Sequence, residues 1–422
     1  MFKKIMNYKK NILFYGALIL FISFGIYNIL NYAFQISMAK MLGPINYGIF
    51  AVLMSFIYIF GIPIEAIQTV ITKYTTKFEL VKKEGKIKDL FYRSLKKGFV
   101  ISISLYLILL VLAFPISKFL KIDYYLLSLC FLFIFIVFIS SISRGILQGK
   151  KKFSALGVNM VAESSVKLIL SIILVVLGFS VFGAIASVLI GAIAAFIFAL
   201  LAIKEVLGAK RERAEMDSVY KTNLFILIAM ISVVLMFNID IFIARAVFDQ
   251  NTAGQYAFVA LIAKVIIFFG AAIGKTLFPI STESHESGKK TSHLLRKSAI
   301  ALSILSLFFI LACFTFPQLI IKIISLGSEE YFSLYSILPI MAIGSTALAF
   351  SNIIILYNLS IGKLKISSYF LLLFVLLQAI LLIFYSGNIT LFSISYTIAN
   401  LLMLAYCIFI NQNEASINNS GA

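Results

Sequence analysis

Apolar runs of about 20 residues recur along the whole chain, and this is the length that an α-helix needs to cross a bilayer. Of the 422 residues, 62% are hydrophobic and 13% are charged, so too little polar surface remains to cover a water-soluble core. A transmembrane barrel would show alternating segments of about 10 residues, a pattern that the sequence lacks. The sequence therefore predicts an all-α polytopic membrane protein.

The apolar runs predict twelve transmembrane helices, at 11–39, 46–73, 91–114, 122–147, 154–177, 181–203, 219–245, 253–280, 293–316, 331–360, 364–385 and 389–410. The loops between them are short, so no soluble domain is expected on either side. The three cysteines lie far apart inside apolar runs, where neither a disulfide framework nor a metal-ligand spacing is present.

The distribution of Lys and Arg predicts the orientation of the chain. With the first residues inside, 29 of the 36 basic residues fall on the inner side and five on the outer side. Positive residues concentrate on the cytoplasmic side of membrane proteins. We therefore expect a multi-pass protein of the cytoplasmic membrane with both termini in the cytoplasm, and no nucleic-acid partner despite the net charge of +19.

The chain repeats itself at an interval of half its length. The outer turn AKMLGPINYGIFAVL (39–53) resembles ARAVFDQNTAGQYAFVAL (244–261), and the inner turn QGKKKFSALG (148–157) resembles IGKLKISSYF (361–370). Six spans separate the members of each pair, so both halves have the same orientation. This pattern predicts a parallel repeat of two six-helix lobes, with a substrate bound between the lobes near mid-membrane.

The repeat also predicts the domain boundaries. We expect an N-terminal six-helix lobe over 1–210, a C-terminal six-helix lobe over 211–410, and a disordered cytoplasmic tail over 411–422. Span 6 carries small residues at every fourth position, and span 8 carries a GxxxG motif at Gly270 and Gly274. Such residues are typical of faces on which helices pack closely.

The outer turn 39–53, the segment RGILQGKKKFSALG (144–157) and the two segments FNIDIFIARAV and AGQYAFVALIAK within 237–264 resemble the polysaccharide transporter family. That family belongs to the superfamily of multidrug, oligosaccharidyl-lipid and polysaccharide exporters. The resemblance covers nearly the whole chain. It implies a MATE-like exporter fold and a flippase, not an enzyme, that moves a polyprenyl-linked oligosaccharide across the cytoplasmic membrane by alternating access.

The resemblance implies a lipid-linked oligosaccharide as substrate, with membrane lipids and glycan-assembly proteins as partners. No cofactor is expected. Two alternatives remain open at this stage: an ion-coupled multidrug exporter of the same superfamily, and a membrane enzyme of glycan assembly. The intramembrane lysines would repel cationic drugs, and the short loops leave little room for an enzyme's catalytic domain. No catalytic constellation or metal site is visible in the sequence.

Ionisable residues inside spans are costly and mark candidate binding sites. Glu163 and Lys167 lie near the middle of span 5 at positions i and i+4, so they share one helix face and can pair. They either line a substrate cavity, with Lys167 meeting a phosphate, or form a structural ion pair between helices.

The other candidate binding residues lie in spans 1, 7 and 8. Lys264 is either a second phosphate contact or the partner of Asp240, which lies on the neighbouring span. Asn31 and Gln35 belong to a polar stripe on span 1 that either lines a hydrated cavity or makes interhelical hydrogen bonds.

Pro63 and Glu65 lie in span 2. A proline inside a span kinks or breaks the helix and frees a backbone carbonyl. With a carboxylate beside it, this pair is a candidate hinge or cation site, and the alternative is a carboxylate hydrogen-bonded to neighbouring helices.

Overall fold

The computed structural model describes residues 2–214, 224–362 and 367–419, and within these ranges the chain is helical without any β-strand. A π-helical turn, Val175–Phe179, joins α6 to α7, and a 3-10 helix, Glu329–Ile337, precedes α14. The α-helices are α1 (Phe2–Phe60), α2 (Ile62–Leu80), α3 (Glu84–Leu120), α4 (Tyr124–Phe131), α5 (Phe133–Gly149), α6 (Phe153–Leu174), α7 (Ser180–Ala202), α8 (Lys204–Gly208), α9 (Leu224–Val247), α10 (Gln250–Ala263), α11 (Val265–Glu286), α12 (Ser292–Thr315), α13 (Pro317–Ile324), α14 (Leu338–Ser360), α15 (Ser367–Phe384) and α16 (Ile389–Asn419).

Ten helical stretches within the described ranges are long and apolar enough to cross a membrane, which confirms a polytopic all-α protein. Two of them, Leu18–Leu80 and Phe153–Ala202, have 63 and 50 residues and are long enough to cross twice. Each contains a glycine with positive φ where the sequence predicts a turn, Gly43 (φ 68°) and Gly178 (φ 91°). Only glycine adopts this backbone conformation readily. The count of twelve spans stays a prediction.

The chain divides into two compact units. The first unit comprises Met1–Leu42 and Phe56–Lys221, and the second comprises Gly43–Ser55 and Thr222–Ala422. The outer turn of α1 and the residues that follow it therefore group with the second unit, whereas the repeat places them in the N-terminal lobe. The lobe boundary at residue 210 stays a prediction.

The first unit is built on close helix packing. Its core contains Ile71 of α2, Leu90 of α3, Ile146 of α5 and Ala199 of α7, all at most 1% exposed. A side chain on Gly145 of α5 would come within 2.7 Å of Ile71, so the glycine lets α2 and α5 approach each other.

The small residues of span 6 form a packing face on α7, as the sequence predicts. All of them are buried, namely Gly183, Ser187, Gly191, Ala195 and Ala199. A Cβ on Gly191 would lie 3.0 Å from the carbonyl oxygen of Glu163 and 3.1 Å from the Cβ of Lys167. This face of α7 therefore fixes α6 at the two charged positions.

In the second unit, α14 packs against α11, α12 and α16, and α15 packs against α9 and α16. The predicted GxxxG motif is a packing face here as well. A Cβ on Gly270 would lie 3.1 Å from Ala349 of α14, and one on Gly274 would lie 2.5 Å from Leu356.

The two repeated outer turns contact each other within the second unit. A Cβ on Gly48 would lie 3.1 Å from the Cα of Gly254, and a Cβ on Gly254 would overlap the carbonyl of Pro44. Beside them, the Tyr47 ring packs edge-on against Phe258, with ring centroids 6.0 Å apart. The glycines of the repeat thus allow a direct contact between two backbones.

Basic and acidic residues bind one another at the turn between α5 and α6. Lys150 Nζ lies 3.0 Å from Glu79, 2.8 Å from Glu84 and 3.3 Å from Glu205. Burial alone would lower the pKa of Lys150, but hydrogen bonds with Glu84 and Glu79 raise this pKa to about 12. Lys150 therefore stays charged and holds α2, α3 and α8 to the turn.

The end of the chain differs from its prediction. We expected a disordered tail over 411–422, but α16 continues to Asn419. Its sequence contains neither proline nor glycine from Ile389 to Asn419, so nothing in the backbone stops the helix at the end of the apolar run. Residues 420–422 lie outside the described residues.

Candidate functional site

Lys167 lies on α6 in the first unit and is 7% exposed. Its Nζ donates a hydrogen bond to Oδ1 of Asn31 on α1 and lies 4.6 Å from the centre of the Phe34 ring. Among the residues that the structure describes, no carboxylate oxygen lies within 4.0 Å of this ammonium group. Two predicted site residues, Lys167 and Asn31, are therefore in contact, and the charge of Lys167 is met by an amide and an aromatic face.

Glu163 lies one turn before Lys167 but forms its salt bridge with another residue. Its Oε2 accepts a hydrogen bond from the guanidinium group of Arg144 on α5. Arg144 Nε also donates to Oδ1 of Asn159, at 2.9 Å. The predicted pairing of Glu163 with Lys167 is thus corrected, because the longer Arg144 side chain reaches Glu163 from the neighbouring helix.

Both partners of this salt bridge are partly accessible. The side chain of Arg144 is 11% exposed and that of Glu163 is 16% exposed. Together with Lys167 and Asn31 they form one polar cluster between α1, α5 and α6, which we call the first-unit cluster. It contains two cations and one carboxylate, so the cluster has an excess positive charge.

Arg144 is a residue of this cluster that the sequence did not indicate. It lies close to the end of the predicted span 4, so we counted it among the basic residues of the inner loop. The structure places it inside α5, six residues before the first of the three lysines at 150–152. The available signal was the pair Asn159 and Glu163, which lie on the same face of α6 at positions i and i+4 and together suit a guanidinium group.

The charged residues of the second unit, Lys264 and Asp240, form a buried ion pair. Lys264 Nζ lies 2.8 Å from both carboxylate oxygens of Asp240 and donates to the carbonyl of Phe237 at 2.6 Å. The Tyr256 hydroxyl donates to Asp240 Oδ2 at 2.9 Å. The side chains of Lys264 and Asp240 are 4% and 0% exposed. Lys264 therefore contacts Asp240, one of the two arrangements that the sequence allows, and the charges of the pair cancel.

Gln35 lies in the first unit but outside the first-unit cluster. It is 6% exposed, and its Nε2 donates to the Tyr58 hydroxyl at 3.0 Å. Asn31 Nδ2 donates to the carbonyl of Tyr27, one turn earlier in α1, at 2.8 Å. The amide nitrogen of Asn31 thus donates within α1, and its amide oxygen accepts from Lys167.

Pro63 marks a helix boundary. α1 ends at Phe60, and α2 begins at Ile62 with the proline in its first turn, which confirms the predicted break. Glu65 follows in the same turn and is exposed. The roles of hinge and cation site stay predictions.

Within the described ranges, no group of three or more His, Cys, Asp or Glu side chains is arranged to hold a metal ion. The three cysteines, Cys130, Cys313 and Cys407, are buried and form no disulfide. The chemistry that the first-unit cluster offers is the binding of an anion by a guanidinium and an ammonium group.

The fold is similar to that of transporters of the MOP superfamily. A MATE family multidrug resistance transporter in an inward-facing conformation is similar with a TM-score of 0.74 and 15% identity, over 94% of this chain and 96% of that protein. The lipid II flippase MurJ gives a TM-score of 0.68 and 14% identity, over 94% and 87%. A MOP superfamily transporter from Pyrococcus furiosus gives 0.63 and 13%, over 95% of each chain.

The chain belongs to the polysaccharide biosynthesis protein family, whose family model matches residues 13–285. This match confirms the family resemblance. An uncharacterized membrane protein of Methanocaldococcus jannaschii is 27% identical over 255 residues. The match covers 57% of this chain and 59% of that relative, so the chain aligns with little more than half of the relative's length.

Proposed function

We propose that the protein is a flippase that moves a polyprenyl-linked oligosaccharide across the cytoplasmic membrane by alternating access. In this proposal the first-unit cluster binds the phosphate or pyrophosphate that joins the sugar to its lipid. Lys167 and Arg144 supply the positive charge, Asn31 orients Lys167, and Glu163 holds Arg144. In this proposal both termini lie in the cytoplasm, and the lipid enters from the inner leaflet.

The observation that carries the proposal is the charge of Lys167. A buried ammonium group without a carboxylate partner is costly inside a membrane protein, and such groups mark the sites of substrates and ions. An anionic substrate provides the missing countercharge each time it binds. The membership in the polysaccharide biosynthesis protein family supports a sugar-bearing anion as this substrate.

A multidrug exporter is the second candidate, favoured by the fold similarity to a MATE family transporter. The two candidates require opposite charges in the binding site. A cationic drug would be repelled by Arg144 and Lys167, whereas a lipid phosphate is attracted by both. The excess positive charge of the first-unit cluster therefore favours the flippase.

The test is a transport assay in proteoliposomes. The probe is a fluorescent disaccharide joined by a diphosphate to a short polyprenol, and dithionite bleaches the molecules that reach the outer leaflet. We expect the wild-type protein to accelerate the movement of the probe. Lys167→Leu should slow this movement at least about tenfold, the equivalent of ~1.4 kcal/mol of binding energy.

Two further variants and a second probe complete the design. Arg144→Gln/Glu163→Gln removes the salt bridge without leaving a single buried charge, and it should also slow transport. Lys322→Leu removes an exposed lysine of α13 and should not. Wild-type rates in both cluster variants, or transport of ethidium in place of the sugar lipid, would exclude this function for the cluster.

A further inference from the structure

An apolar groove lies in the second unit between α12 and α16. Both helices pack on α14, which forms the floor of the groove. Its volume is about 330 Å³, and side chains from all three helices line it: Leu295 and Ala299 of α12, Phe350 and Ile354 of α14, and Leu404 and Ile408 of α16. The lining contains no polar side chain, so the groove suits a hydrocarbon.

The groove is closed below and open at its edge. In the floor, Ile353 is 1% exposed and Ile354 is 9% exposed, whereas Ile408 at the edge is 41% exposed. An aliphatic side chain with this exposure on a membrane helix faces the hydrocarbon of the bilayer. A lipid chain can therefore enter the groove sideways from the membrane.

Two basic residues follow Leu295, the first lining residue of α12, in the sequence. α12 begins at Ser292, so Leu295 lies in its first turn, and the next two residues are the exposed Arg296 and Lys297. Ile408 lies close to the end of the apolar stretch Ile389–Gln412. The groove thus begins near a membrane interface, at the predicted cytoplasmic side, where Lys and Arg attract lipid phosphates.

We propose that this groove holds the polyprenyl chain of the sugar-bearing lipid, with Arg296 and Lys297 contacting its phosphate. The proposal rests on the proposed function, because it concerns the lipid part of the same substrate. In this proposal the lipid binds first in the groove at the predicted cytoplasmic interface, and its phosphate contacts Lys167 at a later step.

The shape of the groove and the neighbouring charge favour this occupant over a bilayer phospholipid. A groove between two helices above a third has room for one hydrocarbon chain. A polyprenyl carrier has a single chain, whereas a phospholipid has two and would leave the second outside. The phosphate of the carrier is attached directly to the end of its chain. With the chain in the groove, the phosphate would lie at the end of the groove where α12 continues from Leu295 to Arg296 and Lys297.

The absence of tryptophan from the chain permits a direct measurement of occupancy. Ile408→Trp places a single reporter at the edge of the groove, and Leu402→Trp places one on the opposite face of α16, where the residue is 44% exposed. In bilayers that contain phosphatidylcholine with brominated chains, both reporters should be quenched. Undecaprenyl phosphate should relieve the quenching at Ile408→Trp and not at Leu402→Trp.

Variants in the Ile408→Trp background separate the two contributions. Ala299→Phe fills the groove and should abolish the relief, whereas Ala301→Phe, on an exposed face of the same helix, should not. Arg296→Gln/Lys297→Gln should raise the amount of undecaprenyl phosphate needed for half-relief at least about tenfold. Undecaprenol lacks the phosphate, so with Arg296 and Lys297 unchanged it should also need an amount at least about tenfold higher than undecaprenyl phosphate for half-relief.

Equal relief at both reporters, or equal relief by an unbrominated phospholipid, would show that ordinary bilayer lipid fills the groove and would overturn the proposal. The assay measures binding, so its outcome is independent of transport. Unchanged relief in Ala299→Phe overturns the groove alone. Normal binding together with absent transport of the sugar probe in the unaltered protein overturns the proposed function.

Discussion

The two units carry different chemistry at positions that the internal repeat makes equivalent. The anchor Lys40 and Arg245 aligns Gln35 with Asp240, and the glycines of the outer turns align Tyr58 with Lys264. In the first unit this pair is a neutral hydrogen bond of 3.0 Å. In the second unit it is an ion pair of 2.8 Å whose carboxylate is fully buried. One helix pair therefore supports either kind of contact.

The contrast is reversed at the second repeated turn. The turn between α5 and α6 aligns with the turn before α15, which places Leu376 and Ile380 at the positions of Glu163 and Lys167. The two aliphatic side chains are 59% and 63% exposed. The fold thus does not require charges there, so the first-unit cluster needs another explanation, and substrate binding provides one.

The comparison teaches that buried charge alone does not mark a binding site. In the second unit the charges of Lys264 and Asp240 cancel and solvent is excluded from both. In the first unit Arg144 and Glu163 remain partly accessible, and no carboxylate oxygen of the described residues lies within 4.0 Å of the buried Lys167 ammonium group. We infer that the second pair stabilises its unit and that the first-unit cluster binds substrate, and three variants examine this difference.

The largest effect is expected for Lys264→Leu. The change leaves Asp240 charged at a position without solvent, and breaking a buried ion pair in this way costs about 3–5 kcal/mol. The free energy of unfolding should fall accordingly, as measured by thermal unfolding in detergent. The double variant Asp240→Leu/Lys264→Leu should recover most of the loss, and a double variant as unstable as the single one would contradict the structural role.

A smaller effect on stability, with a clear effect on transport, is expected at Lys167. No carboxylate oxygen of the described residues lies within 4.0 Å of Lys167 Nζ, so Lys167→Leu strands none of them and the variant should reach normal abundance in the membrane. Lys167→Arg keeps the charge and should retain more transport of the sugar probe than Lys167→Leu. Equal activity of the two variants would mean that the positive charge does not meet the substrate.

The smallest effect is expected for Tyr58→Phe, which removes only the hydroxyl that accepts from Gln35. A neutral hydrogen bond contributes about 0.5–1.5 kcal/mol, much less than a broken buried ion pair. The thermal unfolding temperature should change little. A loss as large as that of Lys264→Leu would remove the distinction between the two pairs.

The sequence predicts the class of fold well because its strongest signals act over single helices. Apolar runs long enough to cross a bilayer, and the small residues of α7, are visible without any knowledge of neighbouring helices. The repeat also shows which turns correspond. These signals are sufficient for the all-helical membrane protein and for its packing faces.

The partners of the charged residues depend on side chains that reach between helices, and here the sequence was insufficient. Spacing on α6 suggests that Glu163 pairs with Lys167, but the structure pairs it with Arg144 from α5. The choice depends on side-chain length and on the rotation of one helix against another. Neither quantity follows from the periodicity of a single helix.

The contact between the two outer turns limits what the chain can accept at one position. Every amino acid other than glycine carries a Cβ atom, and at Gly254 that atom would occupy the space of the Pro44 carbonyl. Residue 254 therefore has no substitute among the other nineteen amino acids unless the backbones separate. The close contact between the two repeated outer turns thus depends on the missing Cβ atom of Gly254.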